Sequence, residues 1–441
     1  MIPGAWRARS WAADQFAARL LAGPWTLDGI AAAVWADNPS LPARSRAALT
    51  VWVFALGEET YPPPPQTLKR HLLASPHFKP KREPLAAAVL DPPRFAPAHN
   101  FADLPIPRLA TIGALAEWLG ETPEQLDWLT DERRTHRHAT LPALRHYHYA
   151  FVRKRDGGQR LLEAPKTRLK AIQRRLLHEI LAPIPVHDRA HGFVPGRSCL
   201  TGAQVHAASC VVATFDLSQF FTAMGSPRIH GLFRSLGYPW AVARRLAGLC
   251  TTITPSSVVC RLPPEQRQAH AVPHLPQGAP TSPALANLLA WTLDVRLQGL
   301  ARAAGATYTR YADDLAFSGD ADFAPSLRRF GKAVGTIVRE EGFALNAAKS
   351  RIMPASGCQR VTGIVVNDHC NIRRVDFDRL KAILHNCVRI GPASQNRGQV
   401  PDFRRHLDGR IVWVEQVNRQ RGEKLRRLFE RISWESTEDL F

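Results

Sequence analysis

The pattern of apolar and polar positions divides the chain into stretches with different predicted elements. Residues 1–60 carry Ala, Leu and Trp at helical spacing, which predicts a small N-terminal helical unit. Residues 61–107 are dense in proline, which opposes both helix and sheet, so they predict a linker with short helical pieces. From residue 371 to residue 434 the pattern is again mostly helical, and this stretch is basic.

Strand-like runs occupy much of the middle of the chain. Residues 147–152 lead into Asp156-Gly157-Gly158, a strong hairpin signal, and the chain then returns as a second strand. Residues 166–181 have helical spacing and end before two prolines. Another β-prone run, residues 211–221, is broken by one acid, Asp216. This mixture of strands and helices predicts an α+β fold.

The most informative stretch is Tyr311-Ala312-Asp313-Asp314. Its flanks, residues 307–310 and 315–318, are aromatic, β-branched and apolar, and they predict two strands joined by a tight turn. Adjacent carboxylates at the tip of a hairpin repel one another unless a cation neutralises them, and such hard oxygen ligands suit Mg²⁺. For this stretch alone, a solvated Asp-Asp turn is the alternative.

A third acid extends this candidate site. Asp216 interrupts an apolar run, where a carboxylate is costly unless it is paired or binds a metal; a helix cap is the alternative. Together with Asp313 and Asp314, it predicts a site for two Mg²⁺ ions, with Mn²⁺ as an alternative ion. Two such ions would activate a 3′-hydroxyl and stabilise leaving pyrophosphate during in-line phosphoryl transfer.

The charge of the chain favours a polyanionic partner. The 441 residues carry a formal net charge of +20 and a pI of about 10.4, and an anionic membrane surface is the competing interpretation. Residues 153–175 include nine Lys or Arg and two acids, which indicates salt-sensitive phosphate contacts or, as the alternative, a solvated helix face.

We find no apolar run of transmembrane length and expect no membrane partner. The seven cysteines form no C-x-x-C pair and are typical of a reduced cytosolic setting.

Further sequence blocks surround these acids in a fixed order. They lie at residues 160–165, 169–177, 191–198, 211–221, 275–283, 311–314 and 345–350. In this order they resemble the motifs of reverse transcriptases. Val361-Thr362-Gly363 resembles a block specific to the bacterial retron type, and the whole is most similar to the longer myxobacterial members, over residues 105–435. One departure is Gly202, where the retron Asn-Ala-x-x-His block has Asn, although His206 is kept.

The resemblance implies a right-hand polymerase of fingers, palm and thumb with an N-terminal helical extension. The implied segments are 1–60 for the extension, 61–107 for the linker, 108–204 for lead-in helices and fingers, 205–368 for the palm with the acids, and 369–441 for a helical, basic thumb.

The resemblance also implies roles for single residues. Lys154, Arg160 and Gln277 would contact the incoming dNTP, and Lys349 would protonate the leaving pyrophosphate. Phe221, five residues after Asp216, would fill the space of a ribose 2′-hydroxyl and so select deoxynucleotides. Core packing is the alternative for Phe221, and an ordinary helix start is the alternative for the Gln277 block. The thumb residues that would bind the cognate RNA are Arg404, Arg405, Arg426 and Arg427.

The predicted function is therefore RNA-directed DNA synthesis. The template and primer would be a structured non-coding RNA, and the product an RNA/DNA hybrid with RNA-linked single-stranded DNA (retron msDNA). By resemblance, the primer is an internal guanosine 2′-hydroxyl, the setting is the bacterial cytoplasm, a retron effector protein is a partner, and the role is antiphage defence. The alternatives are a group II intron-like or other bacterial reverse transcriptase and, from another class, a catalytically silent RNA-binding scaffold. The three intact acids argue against the scaffold.

Overall fold

A computed structural model describes residues 3–37, 41–56, 62–79, 93–131, 135–139, 141–153 and 157–434 of the chain. The α-helices are α1 Pro3–Ala22, α2 Leu27–Asp37, α3 Ala43–Phe54, α4 Pro65–Ala74, α5 Ile112–Leu119, α6 Pro123–Thr130, α7 Thr167–Leu176, α8 Cys199–Gln204, α9 Ser226–Ser235, α10 Trp240–Cys250, α11 Ser256–Val259, α12 Pro264–His270, α13 Ser282–Leu289, α14 Trp291–Ala303, α15 Leu327–Glu340, α16 Arg374–Ile390, α17 Phe403–Val417 and α18 Arg419–Phe429. The strands are β1 Tyr147–Arg153, β2 Gln159–Pro165, β3 Val211–Ser218, β4 Thr307–Tyr311, β5 Asp314–Gly319, β6 Ala344–Leu345, β7 Arg351–Pro354, β8 Arg360–Val361 and β9 Ile364–Val365. Within the described ranges, no helix combines the length and the apolar composition needed to cross a bilayer.

The chain forms two compact units, each built from two separate segments. The first comprises Met1–Pro185 and Gln219–Leu289, and the second comprises Val186–Ser218 and Ala290–Phe441. This division differs from the consecutive segments predicted from the sequence. The reason is that β3 pairs with β5 and β7, which come much later in the chain, so residues 219–289 leave the sheet and join the first unit.

Helices α1 to α4 share one apolar core in the first unit. Its buried members include Phe16, Leu20, Ile30, Leu49, Leu68 and Leu72. Helix α4 lies inside the proline-rich stretch and begins at Pro65, because proline is tolerated in the first helical turn. This part of the predicted linker is therefore packed helical structure, whereas residues 80–92 lie outside the described ranges.

The first predicted hairpin forms in the same unit. Strands β1 and β2 pair antiparallel from Tyr147↔Pro165 to Arg153↔Gln159. The following predicted helix is α7, and a π-helical turn at Leu177–Leu181 continues it. Buried Gln173 on α7 donates to the Tyr147 hydroxyl at 3.0 Å and to the Leu249 carbonyl at 2.8 Å. These bonds fasten α7 to β1 and to α10.

An antiparallel sheet forms the centre of the second unit. Its five strands run in the order β4-β5-β3-β6, and β7 also pairs with β3. The hairpin predicted around residues 311–314 is β4 and β5, which pair from Thr307↔Ser318 to Tyr311↔Asp314. The ring of Phe317 lies 4.9 Å from that of Tyr308 and 5.0 Å from that of Phe330 on α15, so aromatic packing anchors this helix to the sheet.

The C-terminal helices α16, α17 and α18 share a separate apolar cluster. It includes Leu380, Leu384, Leu407, Ile411, Val414 and Leu425. Side chains cap two of these helices: Asp402 accepts from the backbone N of Arg405, and Asn418 accepts from that of Arg421. The basic C-terminal segment is therefore helical, as predicted, with an apolar inner face.

Candidate active site

Three acids lie at one end of the neighbouring strands β3 and β5 in the second unit, and we call this end of the strands the acidic edge. Asp314 is the first residue of β5 and lies directly opposite Asp216 of β3 in the antiparallel register. Asp313 belongs to the turn between β4 and β5, and its carbonyl accepts a hydrogen bond from Leu217 N at 2.9 Å. Asp216 is thus a strand residue rather than a helix cap. The structure brings together the three acids that the sequence predicts as one site.

The electrostatics of this edge favour a bound cation. Carboxylates directly opposite each other on neighbouring strands repel one another. The Asp314 side chain reaches solvent, yet desolvation by surrounding protein atoms and then the charges of Asp313 and Asp216 raise its pKa to about 6. A divalent cation would relieve this repulsion, and carboxylate oxygens are the donors that Mg²⁺ prefers. The donor chemistry of these three carboxylates therefore suits a divalent cation.

Lys349 lies beside the acids, on the loop after β6. Its Nζ is 3.0 Å from Asp216 Oδ1, and half of its side chain is exposed. The loop is held in place because Asn346 N donates to the Asp216 carbonyl at 2.8 Å. Partial burial lowers the pKa of Lys349, but the hydrogen bond to Asp216 and the charges of the three acids outweigh burial and raise this pKa. The ammonium group therefore stays charged at neutral pH.

A short segment packs closely against the turn that carries Asp313. His191 N donates to the Arg310 carbonyl at 2.7 Å, and the neighbouring Ala190 forms a parallel bridge to the same residue. A Cβ on Gly192 would lie 2.6 Å from Ala312 N, which is closer than real side chains approach. Glycine in this sequence block therefore permits close contact between two backbones beside the acids.

The retron-like block at residues 202–206 supports the same strands. The ring of buried His206 hydrogen bonds with Ser318 Oγ at 2.8 Å and Thr309 Oγ1 at 2.7 Å, and burial lowers its pKa to about 3. The neutral ring thus joins β4 to β5. A Cβ on Gly202 would lie only 3.2 Å from the His191 ring. Asn at this position would require that ring to shift, so the departure from the retron pattern has a packing reason.

Two of the residues predicted to contact the incoming nucleotide, Arg160 and Gln277, lie in the first unit. Arg160 is exposed on β2, whereas Lys154 lies outside the described residues. Gln277 is half-buried, and its carbonyl accepts from Glu163 N on β2 at 2.9 Å. The next residue, Gly278, has a φ of +134°, and a Cβ there would be 3.1 Å from the Glu163 carbonyl. A backbone hydrogen bond therefore joins β2, which contains Arg160, to the segment that contains Gln277.

Phe220 and Phe221 occupy different environments. Phe220 is only 3% exposed, whereas Phe221 is half-buried, and their rings lie edge to face with centroids 5.6 Å apart. Core packing accounts for Phe220. The more accessible ring belongs to Phe221, the residue that the family resemblance selects.

A buried acid–imidazole cluster lies behind the Gln277 loop. Glu163 and His274 are fully buried and His270 is nearly so, and their potential metal-ligand atoms lie within 4.8 Å of one another. His274 Nε2 is 2.9 Å from Glu163 Oε2, and its Nδ1 is 2.7 Å from the Val272 carbonyl. The Thr254 hydroxyl donates to Glu163 Oε1 at 2.6 Å.

These contacts pair Glu163 and His274 with each other and with neighbouring polar groups. Burial alone would lower the pKa of His274, but the charge of Glu163 and the hydrogen bonds to Glu163 and to the Val272 carbonyl raise this pKa. Both ring nitrogens face oxygen acceptors, an arrangement that favours the protonated ring. The pair fastens β2 to the chain just before Gln277. Sequence reasoning missed this cluster, although the spacing of four residues between His270 and His274 was a visible signal.

The arginines predicted to bind RNA differ in their surroundings. Arg404, Arg405 and Arg427 are exposed on α17 and α18. Arg426 is partly buried, and its Nε and Nη2 each donate to a Glu415 carboxylate oxygen at 2.9 Å. These hydrogen bonds raise the pKa of Arg426. Arg426 therefore joins α18 to α17, and an RNA contact stays a prediction for all four arginines.

Comparison with known proteins identifies the class to which this sheet and its acids belong. Residues 152–366 match the family described as reverse transcriptase (RNA-dependent DNA polymerase). The Retron Mx65 reverse transcriptase of Myxococcus xanthus is 43% identical over 295 residues, which cover 66% of this chain and 66% of the relative. The Retron Mx162 reverse transcriptase of the same organism is 36% identical over 328 residues, or 71% of this chain and 65% of the relative.

A more distant relative extends the comparison to another organism. The Retron Ec86 reverse transcriptase of Escherichia coli is 32% identical over 240 residues, which cover 54% of this chain and 67% of the relative. The chain belongs to the retron reverse transcriptases. It spans just under two thirds of the length of the two Myxococcus xanthus relatives. Family membership favours the retron type over the group II intron-like alternative.

Proposed function

We propose that this protein is an RNA-directed DNA polymerase that copies a structured non-coding RNA into DNA. The observation that carries this proposal is the register of the sheet, which sets Asp216 directly opposite Asp314 and beside the turn that holds Asp313. These acids lie within the residues that match the reverse transcriptase family. Grouped carboxylates at the ends of neighbouring strands, with Asp314 exposed, suit phosphoryl transfer from a dNTP to a primer hydroxyl.

The side chains of the site would divide the chemistry between them. Asp216, Asp313 and Asp314 would hold two Mg²⁺ ions, or Mn²⁺, which when bound activate the primer hydroxyl and offset charge on the phosphates. The strand ladder fixes the carboxylates so that little reorganisation is needed. Lys349 keeps a proton on Nζ, 3.0 Å from Asp216, where it can be donated to leaving pyrophosphate. Arg160 would supply positive charge to the triphosphate.

The proposal extends to the parts of a polymerase hand. We assign the β1–β2 hairpin and α7 to the fingers, the antiparallel sheet to the palm, and α16 to α18 to the thumb. The exposed basic side chains on the last two helices support a nucleic-acid-binding role for that segment, because arginine binds phosphate oxygens with paired donors. The acid-bearing sheet supports the palm assignment.

Membership of the retron family supports a more specific product. We propose that the template-primer is a structured RNA encoded with the gene, and that synthesis from dNTPs starts at a guanosine 2′-hydroxyl. The product would be an RNA/DNA hybrid and RNA-linked single-stranded DNA. A retron effector protein as partner and a role in antiphage defence complete the proposal.

Expression of the natural locus tests this function. We expect nucleic acid purified with the protein to contain one short DNA species covalently joined to a guanosine of one RNA, detected by sequencing before and after ribonuclease treatment and debranching. The Asp313→Asn protein is the matched control and should retain the RNA without the DNA. Purified wild-type protein that carries neither this DNA nor a specific RNA would contradict the retron proposal.

The C-terminal arginines should contribute more to RNA binding than to catalysis. We expect Arg405→Glu and Arg427→Glu to weaken binding of the cognate RNA and to flatten its salt dependence by about one unit of slope per lost phosphate contact. Extension of a generic primed template at saturating concentration should persist. Binding titrations at several salt concentrations measure the effect.

Two controls separate this effect from a general change in charge or stability. Arg328→Glu makes the same charge change on α15 and should leave RNA binding near the wild-type value. Arg426→Glu should lower thermal stability, because it places a third carboxylate beside Glu415 and Asp408. Unchanged affinity and salt slope in folded Arg405→Glu and Arg427→Glu proteins would exclude these residues from the RNA interface.

A further inference from the structure

A buried charge pair lies directly behind the turn that carries Asp313. Arg310, on β4, and Asp294, on α14, are both fully buried. Arg310 Nε donates to Asp294 Oδ1 at 2.8 Å and Nη2 donates to Oδ2 at 2.6 Å, a two-pronged arrangement. The Tyr308 hydroxyl donates to the same Oδ1 at 2.8 Å. Such buried pairs add little net stability compared with apolar side chains of similar volume, so this one calls for another explanation.

The remaining arm of the guanidinium reaches the turn itself. Arg310 Nη1 donates to the Ala312 carbonyl at 3.2 Å. Ala312 has a φ of +56°, in the left-handed region that residues other than glycine rarely adopt. This carbonyl belongs to the peptide group that joins Ala312 to Asp313. On the other side of Asp313, its own carbonyl accepts from Leu217 N at 2.9 Å. Both peptide groups of Asp313 are therefore held by hydrogen bonds.

The backbone of Arg310 is equally fixed. Its N donates to the Arg189 carbonyl at 2.8 Å, and its carbonyl accepts from His191 N at 2.7 Å. The two hydrogen bonds to Asp294 then fix the orientation of the guanidinium plane. The backbone and the planar guanidinium of Arg310 are thus both held by hydrogen bonds, so this side chain can hold the Ala312 turn in place. A lysine, whose ammonium group is flexible and lacks paired donors, could not do this.

We propose that Arg310 and Asp294 are positioning residues for the acidic site. Asp294 orients the guanidinium, and Arg310 Nη1 holds Ala312 in its left-handed conformation, so that Asp313 and Asp314 point to the metal-binding edge. This inference rests on the proposed polymerase function. It assigns a catalytic consequence to two residues that do not touch substrate.

The decisive variant replaces the whole buried group with apolar side chains. Arg310→Met, Asp294→Leu and Tyr308→Phe together remove the charge pair and the hydroxyl bonded to it, and the Ala312 carbonyl loses its bond from Arg310 Nη1. Replacement of a whole buried pair by apolar side chains is often neutral for stability. We expect a thermal midpoint near the wild-type value and kcat for primer extension about 10²-fold lower, as displaced catalytic groups commonly produce. The Mg²⁺ concentration for half-maximal rate should rise, which a merely structural role would not cause.

Tyr308→Phe alone is the matched control, because it removes one bond to Asp294 and leaves Arg310 on the Ala312 carbonyl. We expect wild-type kcat and Mg²⁺ dependence in this protein. If the triple variant does not fold, Arg310→Lys replaces it: the charge remains but the paired donors are lost, and we expect a folded, slower enzyme with a raised Mg²⁺ requirement.

Two results would overturn the proposal. One is a folded triple or Arg310→Lys variant with wild-type kcat and Mg²⁺ dependence. The other is an equal loss of rate in Tyr308→Phe, which would indicate general core packing. These results differ from failure of the polymerase proposal itself, because in that case the wild-type protein would not extend a primer on RNA.

Discussion

Replacement of Asp313 by asparagine, or of Asp216 by asparagine, is expected to abolish RNA-templated DNA synthesis while the fold persists. An amide carries no charge and is a poorer Mg²⁺ ligand than a carboxylate. Because bound metal supplies several kcal/mol of transition-state stabilisation, we expect a rate loss on the order of 10³-fold or more. Removal of one negative charge should not destabilise the sheet. Asp216 lies directly opposite Asp314, and the charges of Asp216 and Asp313 both act unfavourably on Asp314.

Primer extension on an RNA template measures this loss, and circular dichroism checks the fold. Asp322→Asn is the matched control, because this exposed acid lies in the loop after β5 and the substitution makes the same change of charge. It should leave the rate unchanged. If the folded Asp313→Asn and Asp216→Asn proteins extend the primer at nearly the wild-type rate, these acids do not form the active site.

The second large effect concerns the choice of sugar. We expect Phe221→Val or Phe221→Ala to increase ribonucleotide incorporation relative to deoxynucleotide incorporation by about 10- to 100-fold. The reason is that a bulky ring excludes the 2′-hydroxyl by steric clash, and a smaller side chain removes that clash. The half-buried state of Phe221 is consistent with an accessible ring. Competing extension with labelled dNTPs and rNTPs gives the ratio.

Phe220→Leu supplies the comparison for this experiment. Phe220 is 3% exposed, so the change should lower the free energy of unfolding and leave sugar discrimination intact. If the Phe221 variants lose stability but keep wild-type discrimination, Phe221 is a core residue and sugar selection is located elsewhere in the chain.

The parts of the fold that sequence predicted well are those set by local pattern. The hairpin at residues 311–314 forms because its flanks have strand propensity and only a short turn fits between them. The three acids could be grouped because an acid in an apolar strand needs a partner or a metal. The direct opposition of Asp216 and Asp314 could not be predicted, because register depends on pairing between distant segments.

The same limit explains what sequence reasoning missed. The ion pairs Arg310–Asp294 and Glu163–His274 join different elements, and nothing in the local pattern of either partner names the other. Arg426 shows the same limit in a single side chain. A basic helical segment predicts nucleic-acid contact for each of its arginines, yet packing of α17 against α18 turns this side chain towards Glu415 and Asp408.

The placement of β3 has a consequence for how the protein folds during synthesis. The strand emerges before its partners β5, β6 and β7, because residues 219–306 and β4 are translated between β3 and these strands. Pairings between distant segments form slowly, and an unpaired apolar strand can associate with other nascent chains. The charge of Asp216 near its end would act as a gatekeeper against such association. Lys349 follows β4, β5 and β6 and precedes β7, so the three acids and this lysine are all present only after most of the chain has been made.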